Sequence, residues 1–119
     1  MLAPGDVVIV AFPFTNQLAA KRRPALVVAD AGDGDFLLAR ITTAAVNGPG
    51  DLFLGGWQSA GLLRPSWVRL AKLMVIAESS IAQTAGVLVQ ADARAARYTL
   101  FAWLSTAWTE PATGGAGFR

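Results

Sequence analysis

The first quarter of the chain decides the fold: residues 5–29 read GDVVIVAFPFTNQLAAKRRPALVVA. Residues 7–12 are almost continuously apolar, which predicts a strand buried on both of its faces. Pro13 has no N–H to donate to a sheet and should end that strand. Residues 16–23 predict a polar, basic loop, and residues 25–30 predict a second strand. Two buried strands with a basic loop between them place fixed positive charge at the rim of a small sheet, which suits a phosphate backbone.

The rest of the chain predicts further short strands and one terminal helix. Glycine, proline and aspartate clusters predict turns near residues 32–35 and 47–50. Strands are predicted at residues 36–42, 52–54, 67–70, 73–77 and 87–89, a helical turn at 79–85, and a helix at 91–108. This pattern is typical of a mainly β domain, a small and strongly curved antiparallel sheet close to a barrel with a C-terminal α-helix. We expect residues 1–109 to form this single domain and residues 110–119 to form a flexible tail.

The composition indicates a protein with apolar surface to cover. Of the 119 residues, 54% are hydrophobic and 15% are charged. Such a chain is expected to bury apolar surface against a partner, most simply a second copy of itself. Alternatively, its many alanines raise the hydrophobic fraction without creating such a surface. No apolar run reaches the roughly 18 residues of a membrane span, and Asp6 follows the start too closely for a secretory signal. We therefore expect a soluble, cytoplasmic protein.

Two missing residue types limit the possible chemistry. The chain has no cysteine and no histidine, which excludes disulfides, thiolate nucleophiles, a Ser-His-Asp triad and most transition-metal sites. No carboxylate cluster predicts a metal site and no glycine-rich phosphate loop is present, so we expect neither a metal nor a cofactor. The net charge is only +2, but basic residues cluster at 21–23 and at 64–72. This clustering predicts a polyanionic partner.

Arg23 is the leading candidate for chemistry. Pro24 restricts it to extended geometry, and its guanidinium is a permanently protonated, planar fork of donors that fits phosphate. Such a group can stabilise charge on a phosphate under attack, although it is a poor general base. Lys21 and Arg22 are candidate counter-charges for phosphate. The alternative for all three is an ordinary solvated position in a loop.

Hydroxyl and aromatic side chains supply the other candidates. Thr42 ends a predicted strand, where its hydroxyl could reach a phosphate or ribose, although threonine is also simply favoured in strands. Phe14 and Trp57 lie in predicted loops and could stack on bases, or could instead cover the mouth of a barrel. Ser66 and Arg69 fall on opposite faces of a predicted strand, so both would face one ligand only if the strand twists or bulges.

Taken together, the motifs resemble the PemK/MazF family of toxin ribonucleases over roughly residues 4–105. The matching segments are Gly5-Asp6, Phe12-Pro13-Phe14, Arg23-Pro24-Ala25-Leu26-Val27, Ile41-Thr42-Thr43, Gly61-Leu62-Leu63, Ser66-Trp67-Val68-Arg69-Leu70, Ile81 and Gly86-Val87-Leu88. The resemblance implies an SH3-like barrel with a C-terminal helix, and a toxin of a type II toxin–antitoxin system. It implies a sequence-specific, metal-independent endoribonuclease that cuts single-stranded messenger RNA to 2′,3′-cyclic phosphate and 5′-hydroxyl ends.

The resemblance also implies residue roles and partners. Arg23 and Thr42 match the arginine and threonine that work together in the family, and Thr43 stands where a serine is usual. Ser66 and Arg69 match a segment that lines the RNA groove. Some relatives carry an acidic residue two positions after this arginine, where this chain has Ala71. The family implies a homodimer, inhibited by an antitoxin whose extended tail occupies the RNA groove.

Two other functions stay open from the sequence. CcdB, which poisons DNA gyrase, is similar in barrel and dimer mode but does not need the Arg-Pro and Ile-Thr motifs. Their presence here favours RNA cleavage over gyrase inhibition. A catalytically inactive barrel used only for binding is the third interpretation, and Ala71 is the residue that keeps it open.

Overall fold

The computed structural model describes residues 1–12 and 21–109. The predicted loop residues Pro13 and Phe14, and the predicted tail at residues 110–119, lie outside these ranges. The elements within them are β1 (Asp6–Phe12), β2 (Lys21–Gly32), β3 (Asp35–Thr42), β4 (Asp51–Phe53), β5 (Trp67–Ala77), β6 (Ile81–Val87) and α1 (Gln90–Ala107). A 3₁₀ turn, Glu78–Ser80, leads from β5 into β6.

The strands form an antiparallel sheet in the order β4-β5-β3-β2-β1-β6. Bulges interrupt the β1–β6, β2–β3 and β3–β5 pairs, and such bulges bend and twist the strands that contain them. Among the described residues the edge strands β4 and β6 do not pair with each other, so the sheet is not closed by hydrogen bonds. The predicted mainly β fold with a C-terminal helix is confirmed, in the form of an open sheet.

Side chains are buried on both faces of this sheet, which explains the unbroken apolar run in β1. A helix-side core lies between the sheet and α1 and includes Val7, Leu26, Ala39, Ile41, Leu54, Val68, Leu70, Leu88, Ala96 and Leu100. A far-side core lies on the other face and consists of Val8, Val10, Ala25, Val27, Phe36 and Leu38. Successive residues of a strand point to opposite faces, so β1 supplies alternate side chains to each core.

The helix is tied to the sheet at its first turn. Asp92 accepts a hydrogen bond of 2.7 Å from the backbone N–H of Gly56, just after β4. A carboxylate in the first turn also interacts favourably with the helix dipole, as the sequence predicts. Further along, Ala96 and Leu100 are the buried positions of α1.

A close backbone contact joins the β4–β5 connection to the edge strand β6. A Cβ placed on Gly61 would lie 2.1 Å from the carbonyl oxygen of Ala85, and one on Gly86 would lie 2.5 Å from that of Ala60. Neither distance is compatible with a side chain, so glycine at both positions allows the two segments to touch. This contact packs the β4–β5 connection against the edge strand β6.

The strand predicted at 87–89 is wrong for Leu88 and Val89, because β6 ends at Val87 and these two residues lead into α1. Two further sequence predictions of local structure are wrong. Residues 21–23 are not part of a loop: they belong to β2 and pair with Phe12, Ala11 and Val10 of β1. Residues 79–85 do not form a helical turn beyond Ser80: most of them form β6, where Thr84 pairs with Val8. In both cases pairing with β1 satisfies the backbone, and this tertiary contact outweighs the local sequence preference.

A candidate nucleic-acid interface

The positions of strand partners place several basic, polar and aromatic side chains on one face of the sheet. Residues directly opposite each other in neighbouring strands share a face. One row across the sheet contains three strand pairs: Val10 with Arg23, Thr42 with Trp67, and Trp67 with Phe53. The next row is Val8, Ala25, Arg40, Arg69 and Asp51. Since Val8, Val10 and Ala25 belong to the far-side core, both rows lie on the face away from α1.

We call this surface the open face and define it by the solvent-accessible side chains of these two rows, together with Lys21. Its members are Lys21, Arg23, Arg40, Thr42, Phe53, Trp67 and Arg69. Lys21 belongs to it because it stands two residues before Arg23 in the same strand. Four of the seven are cationic, which gives the open face the charge that a nucleic-acid backbone requires.

Arg23 and Thr42 lie at the same end of adjacent strands. The β2–β3 pairing begins at Ala25 opposite Arg40, directly after Pro24, which has no N–H to donate. Arg23 and Thr42 each stand two residues beyond this last β2–β3 pair on their strands. Arg23 and Thr42, 19 positions apart in the sequence, therefore share the open face at the same end of β2 and β3.

Both side chains keep hydrogen-bonding capacity for a ligand. The Thr42 hydroxyl oxygen accepts a 3.1 Å hydrogen bond from the backbone N–H of Ala44, which leaves its own proton to donate. Among the described residues, no carboxylate or carbonyl engages the Arg23 guanidinium. A guanidinium without a partner among the described residues and a hydroxyl that can donate, on the same face, are suitable groups for binding a phosphate.

Arg69, in contrast, is held by a carboxylate on the neighbouring strand. Its Nε donates to Asp51 Oδ1 at 3.0 Å, and its Nη2 lies 3.4 Å from Oδ2. The Asp51 side chain is 2% exposed and that of Arg69 is 30% exposed. Oδ2 also accepts a 2.8 Å hydrogen bond from the N–H of Gly48. Asp51 therefore fixes the direction of Arg69 and anchors the turn before β4.

An aromatic pair borders the same face. The rings of Phe53 and Trp67 have centroids 5.0 Å apart and planes inclined at 58°. Phe53 is 46% exposed although it is a large hydrophobic residue. Exposed rings next to cationic side chains can stack on unpaired bases.

The other predicted site residues do not gather here. Arg22 is exposed but pairs with Ala11, and alternation turns it to the face opposite Arg23. Ser66 is 1% exposed and its hydroxyl donates to the carbonyl of Arg64, so it faces the interior. Trp57 packs against the helix-side core. Thr43 is exposed just beyond the end of β3. Phe14 lies outside the described residues.

Sequence reasoning missed Arg40, Asp51 and Phe53. Arg40 stands alone among apolar residues in its strand, and an exposed charge in a buried strand is the signal that could have identified it. No sequence signal could have identified Asp51, because its partner Arg69 is on another strand. The sequence predicts Phe53 only as part of a short strand at residues 52–54, without a functional role.

Other features of the described residues do not add to this interface. A cavity of about 630 Å³ lies on the helix side, lined by residues such as Val28, Leu88, Arg97 and Phe101, and it includes no predicted site residue. No group of three or more acidic side chains within residues 1–12 and 21–109 could hold a metal ion. In the same part of the chain, no helix has the length and apolar character needed to cross a membrane.

Known proteins resemble the chain in sequence pattern and in fold. The model of a family described as PemK-like, MazF-like toxin of type II toxin-antitoxin system matches residues 3–104. No curated protein sequence matches the chain. Solved structures do: an endoribonuclease in complex with its cognate antitoxin, from a mycobacterial species, has a TM-score of 0.71 at 17% identity, over 93% of this chain and 100% of that chain.

Two further solved structures are similar. A chain of the MazE-MazF complex from Deinococcus radiodurans has a TM-score of 0.68 at 20% identity, over 87% of this chain and 95% of its own length. The Mycobacterium tuberculosis toxin MazF-mt6 has a TM-score of 0.64 at 18% identity, over 82% and 95%. At such identities the likeness shows a common fold.

Proposed function

Because the chain belongs to the PemK-like, MazF-like toxin family of type II toxin–antitoxin systems, we propose that it is an endoribonuclease that cuts single-stranded RNA. The observation that supports this proposal is that Arg23 and Thr42 share the open face at the same end of β2 and β3. A mycobacterial protein of the same fold is described as an endoribonuclease, which supports the proposal. Sequence specificity and messenger RNA as the substrate are part of the same proposal.

The chemistry needs little from the protein beyond placement and charge. In this reaction the 2′-oxygen of a ribose bonds to the adjacent phosphorus, and the bond from phosphorus to the 5′-oxygen breaks. The 2′-hydroxyl loses its proton and the leaving 5′-oxygen gains one, so the products are a 2′,3′-cyclic phosphate and a 5′-hydroxyl. Arg23 would stabilise the negative charge on the five-coordinate phosphorus, and Thr42 would donate to a phosphate oxygen and orient it.

The surroundings of this pair fit a single strand of RNA. Lys21 extends the positive charge beyond Arg23 along β2. The Phe53–Trp67 pair offers ring surface on the side of Thr42 away from Arg23, since Thr42 pairs with Trp67. Only unpaired bases can stack on such rings, because the bases of a duplex are stacked on each other.

The direct test is incubation of the pure protein with a long RNA in EDTA, followed by primer extension. We expect cuts at discrete positions, and products that carry a 2′,3′-cyclic phosphate and a 5′-hydroxyl. EDTA should not abolish cleavage, since the proposed steps use guanidinium and hydroxyl groups and no metal ion. Intact RNA under these conditions would argue for a binding barrel without nuclease activity.

A matched pair of variants tests the proposed role of Arg23. Arg23→Ala should lower the cleavage rate by about 100-fold or more, the usual effect of losing a preorganised group that stabilises the transition state. Arg22→Ala removes the same charge from the adjacent residue, which faces the other way, and should cost far less. Equal losses would mean that net charge matters and the proposed geometry does not.

We further propose a cytoplasmic homodimer that is neutralised by an antitoxin. Exposed large hydrophobic residues, among them Val87, Tyr98 and Phe101, support a protein partner. A similar solved structure is a complex with its cognate antitoxin. Sedimentation of the pure protein at micromolar concentration should show twice the monomer mass; a monomer would contradict the dimer.

A further inference from the structure

The second row of the open face contains a charge arrangement that the proposed cleavage does not use. Arg40 of β3 and Arg69 of β5 are direct cross-strand partners on the same face. Like charges directly opposite each other in a sheet are unfavourable. A carboxylate at the end of the row, Asp51, is paired with Arg69 and lies on the side of Arg69 that faces away from Arg40.

The pair with Asp51 leaves donors of Arg69 unused. Its Nε and Nη2 are engaged, and within the described residues no hydrogen bond of Nη1 is found. Asp51 accepts hydrogen bonds from Arg69 through both of its oxygens and a further one from the N–H of Gly48. It orients Arg69, and its single negative charge can balance only one of the two guanidinium groups.

Arg40 is exposed and carries no ion pair in the described part of the chain. Two guanidinium groups with one carboxylate leave a net positive charge at this point of the sheet. A fixed arginine and a free arginine facing each other across neighbouring strands form a site for an anion with several acceptor oxygens.

The site lies one row away from Arg23 and Thr42. Arg40 is two residues before Thr42 in β3, and Arg69 is two residues after Trp67 in β5, a spacing of roughly 6.6–6.8 Å along a strand. We propose that Arg40 and Arg69, with Asp51 as the residue that positions Arg69, bind the RNA phosphate next to the one that is cleaved. This inference rests on the proposed function for the identity of the ligand.

The test measures binding separately from cleavage. The probe is a short fluorescent RNA of random sequence with 2′-O-methyl riboses throughout, which cannot be cut because the attacking hydroxyl is blocked. Its affinity is measured by anisotropy over a range of salt concentrations. Each phosphate contact to a single strand contributes about 0.7 to the slope of log K against log salt, so Arg40→Gln should lower that slope by about 0.7.

Arg94→Gln is the matched control. Arg94 is also exposed and unpaired in the described residues, but it lies on α1 at the opposite face. This substitution should leave the slope unchanged. In cleavage assays with unmodified RNA, Arg40→Gln should raise KM on the order of fivefold and leave kcat unchanged, as expected for a partly exposed charge contact.

The outcomes distinguish this site from the proposed enzyme. If the wild-type protein cuts RNA while Arg40→Gln and Arg94→Gln behave alike, the second phosphate site is wrong and the nuclease assignment stands. If the wild-type protein cuts nothing but the slope depends on Arg40, the phosphate site stands and the nuclease assignment fails. A fall in kcat with unchanged KM in Arg40→Gln would also contradict the site, since it would place Arg40 in the chemical step.

Discussion

The hydroxyl of Thr42 divides its hydrogen-bonding roles between the protein and a ligand. Its oxygen accepts from the N–H of Ala44, which fixes the side chain at the end of β3. Its proton is then free to point to a phosphate oxygen. A hydrogen bond to an ionised acceptor is stronger than one between neutral groups, so the Thr42 hydroxyl binds a phosphate oxygen more strongly than it binds water.

Thr42→Val removes this donor and retains the branched shape. A hydrogen bond to a charged group contributes roughly 1.5–3 kcal/mol, so kcat/KM for RNA cleavage should fall by about 10- to 100-fold. Thr42→Ser keeps the hydroxyl and should keep most of the activity.

The comparison for Thr42→Val is Thr43→Val, in which the adjacent and exposed residue loses the same group. Thr43 lies beyond the end of β3, and a surface change of this kind alters stability by no more than about 0.5 kcal/mol. Initial cleavage rates of Thr42→Val and Thr43→Val, measured side by side, test the role of the Thr42 hydroxyl. A Thr42→Val protein with full activity would remove the hydroxyl from the mechanism.

The sequence predicts Arg23 and Thr42 as site residues but could not place the residues around them. The Arg-Pro and Ile-Thr motifs mark the two residues by resemblance to a family. The same motifs do not show that Arg22 and Arg23 point to opposite faces, because that depends on their pairing with β1. The relation between Arg40 and Arg69 is equally invisible, since it is a property of how β3 and β5 are aligned.

The strand β5 shows how an interruption in a sequence pattern becomes a structural feature. The sequence predicts two separate pieces, at residues 67–70 and 73–77, and the structure has one strand with a bulge between them. Arg40 pairs with Arg69 while Ala39 pairs with Leu73, so three residues of β5, Leu70, Ala71 and Lys72, have no partner on β3. The N–H of Leu70 instead donates to the carbonyl of Gly50 at 2.7 Å.

This bulge explains why Asp51 is near Arg69. Gly50 packs against the bulge, where a Cβ would be 2.9 Å from the backbone nitrogen of Ala71. The contact sets the start of β4 beside Arg69 and brings the Asp51 carboxylate to its guanidinium.

The pair can be tested with a double-mutant cycle of Asp51→Asn and Arg69→Gln. Asp51→Asn alone should weaken binding of uncleavable RNA on the order of tenfold, because Arg69 loses its fixed direction. In the Arg69→Gln background the same change should have no further effect on RNA affinity.

Folding stability serves as the second measurement in this cycle. Arg69→Gln alone leaves a carboxylate that is 2% exposed without its partner, so it should unfold at lower urea concentration than the double variant. Additive losses in RNA affinity would contradict the positioning role and indicate that Asp51 only supports the fold.

At the scale of the whole molecule, the contact between Gly61 and Gly86 packs the β4–β5 connection against the edge strand β6. Gly86→Ala would force a methyl group against the backbone of Ala60 and Gly61, at 2.5–3.2 Å. These backbone atoms cannot move aside as a flexible side chain can. We expect the free energy of unfolding to fall by about 1–3 kcal/mol or more, as measured by urea denaturation.

Gly55→Ala is the control for this substitution. Its Cβ would meet the nearest atom, Asp92 Oδ1, at 3.8 Å, which is an ordinary contact, and its backbone has no positive φ. The free energy of unfolding should change little. Similar stability for the two variants would show that the fold does not depend on the close backbone contact between the β4–β5 connection and β6.

Local sequence patterns predict the elements whose apolar residues follow the pattern of a helix or of a buried strand. The helix at 91–108, observed as Gln90–Ala107, follows from the periodicity of its apolar residues. The strand at 7–12, observed as Asp6–Phe12, follows from its unbroken apolar run. The strand β6 was not predicted, because Gln83 and Thr84 show no apolar alternation and their backbones are paired only through β1. Edge pairing of this kind depends on the complete molecule.

The pairing of β2 with β1 has one more consequence, for how the chain could change over time. Adding a single amino acid between Pro24 and Ala25 would reverse the faces to which residues 21–24 of β2 point. Arg23 would then point toward the helix, and Pro24 would occupy the former position of Arg23. No charge would be lost and the composition would barely differ. Such an insertion is therefore a simple route by which a descendant of this protein could lose its toxicity and still fold.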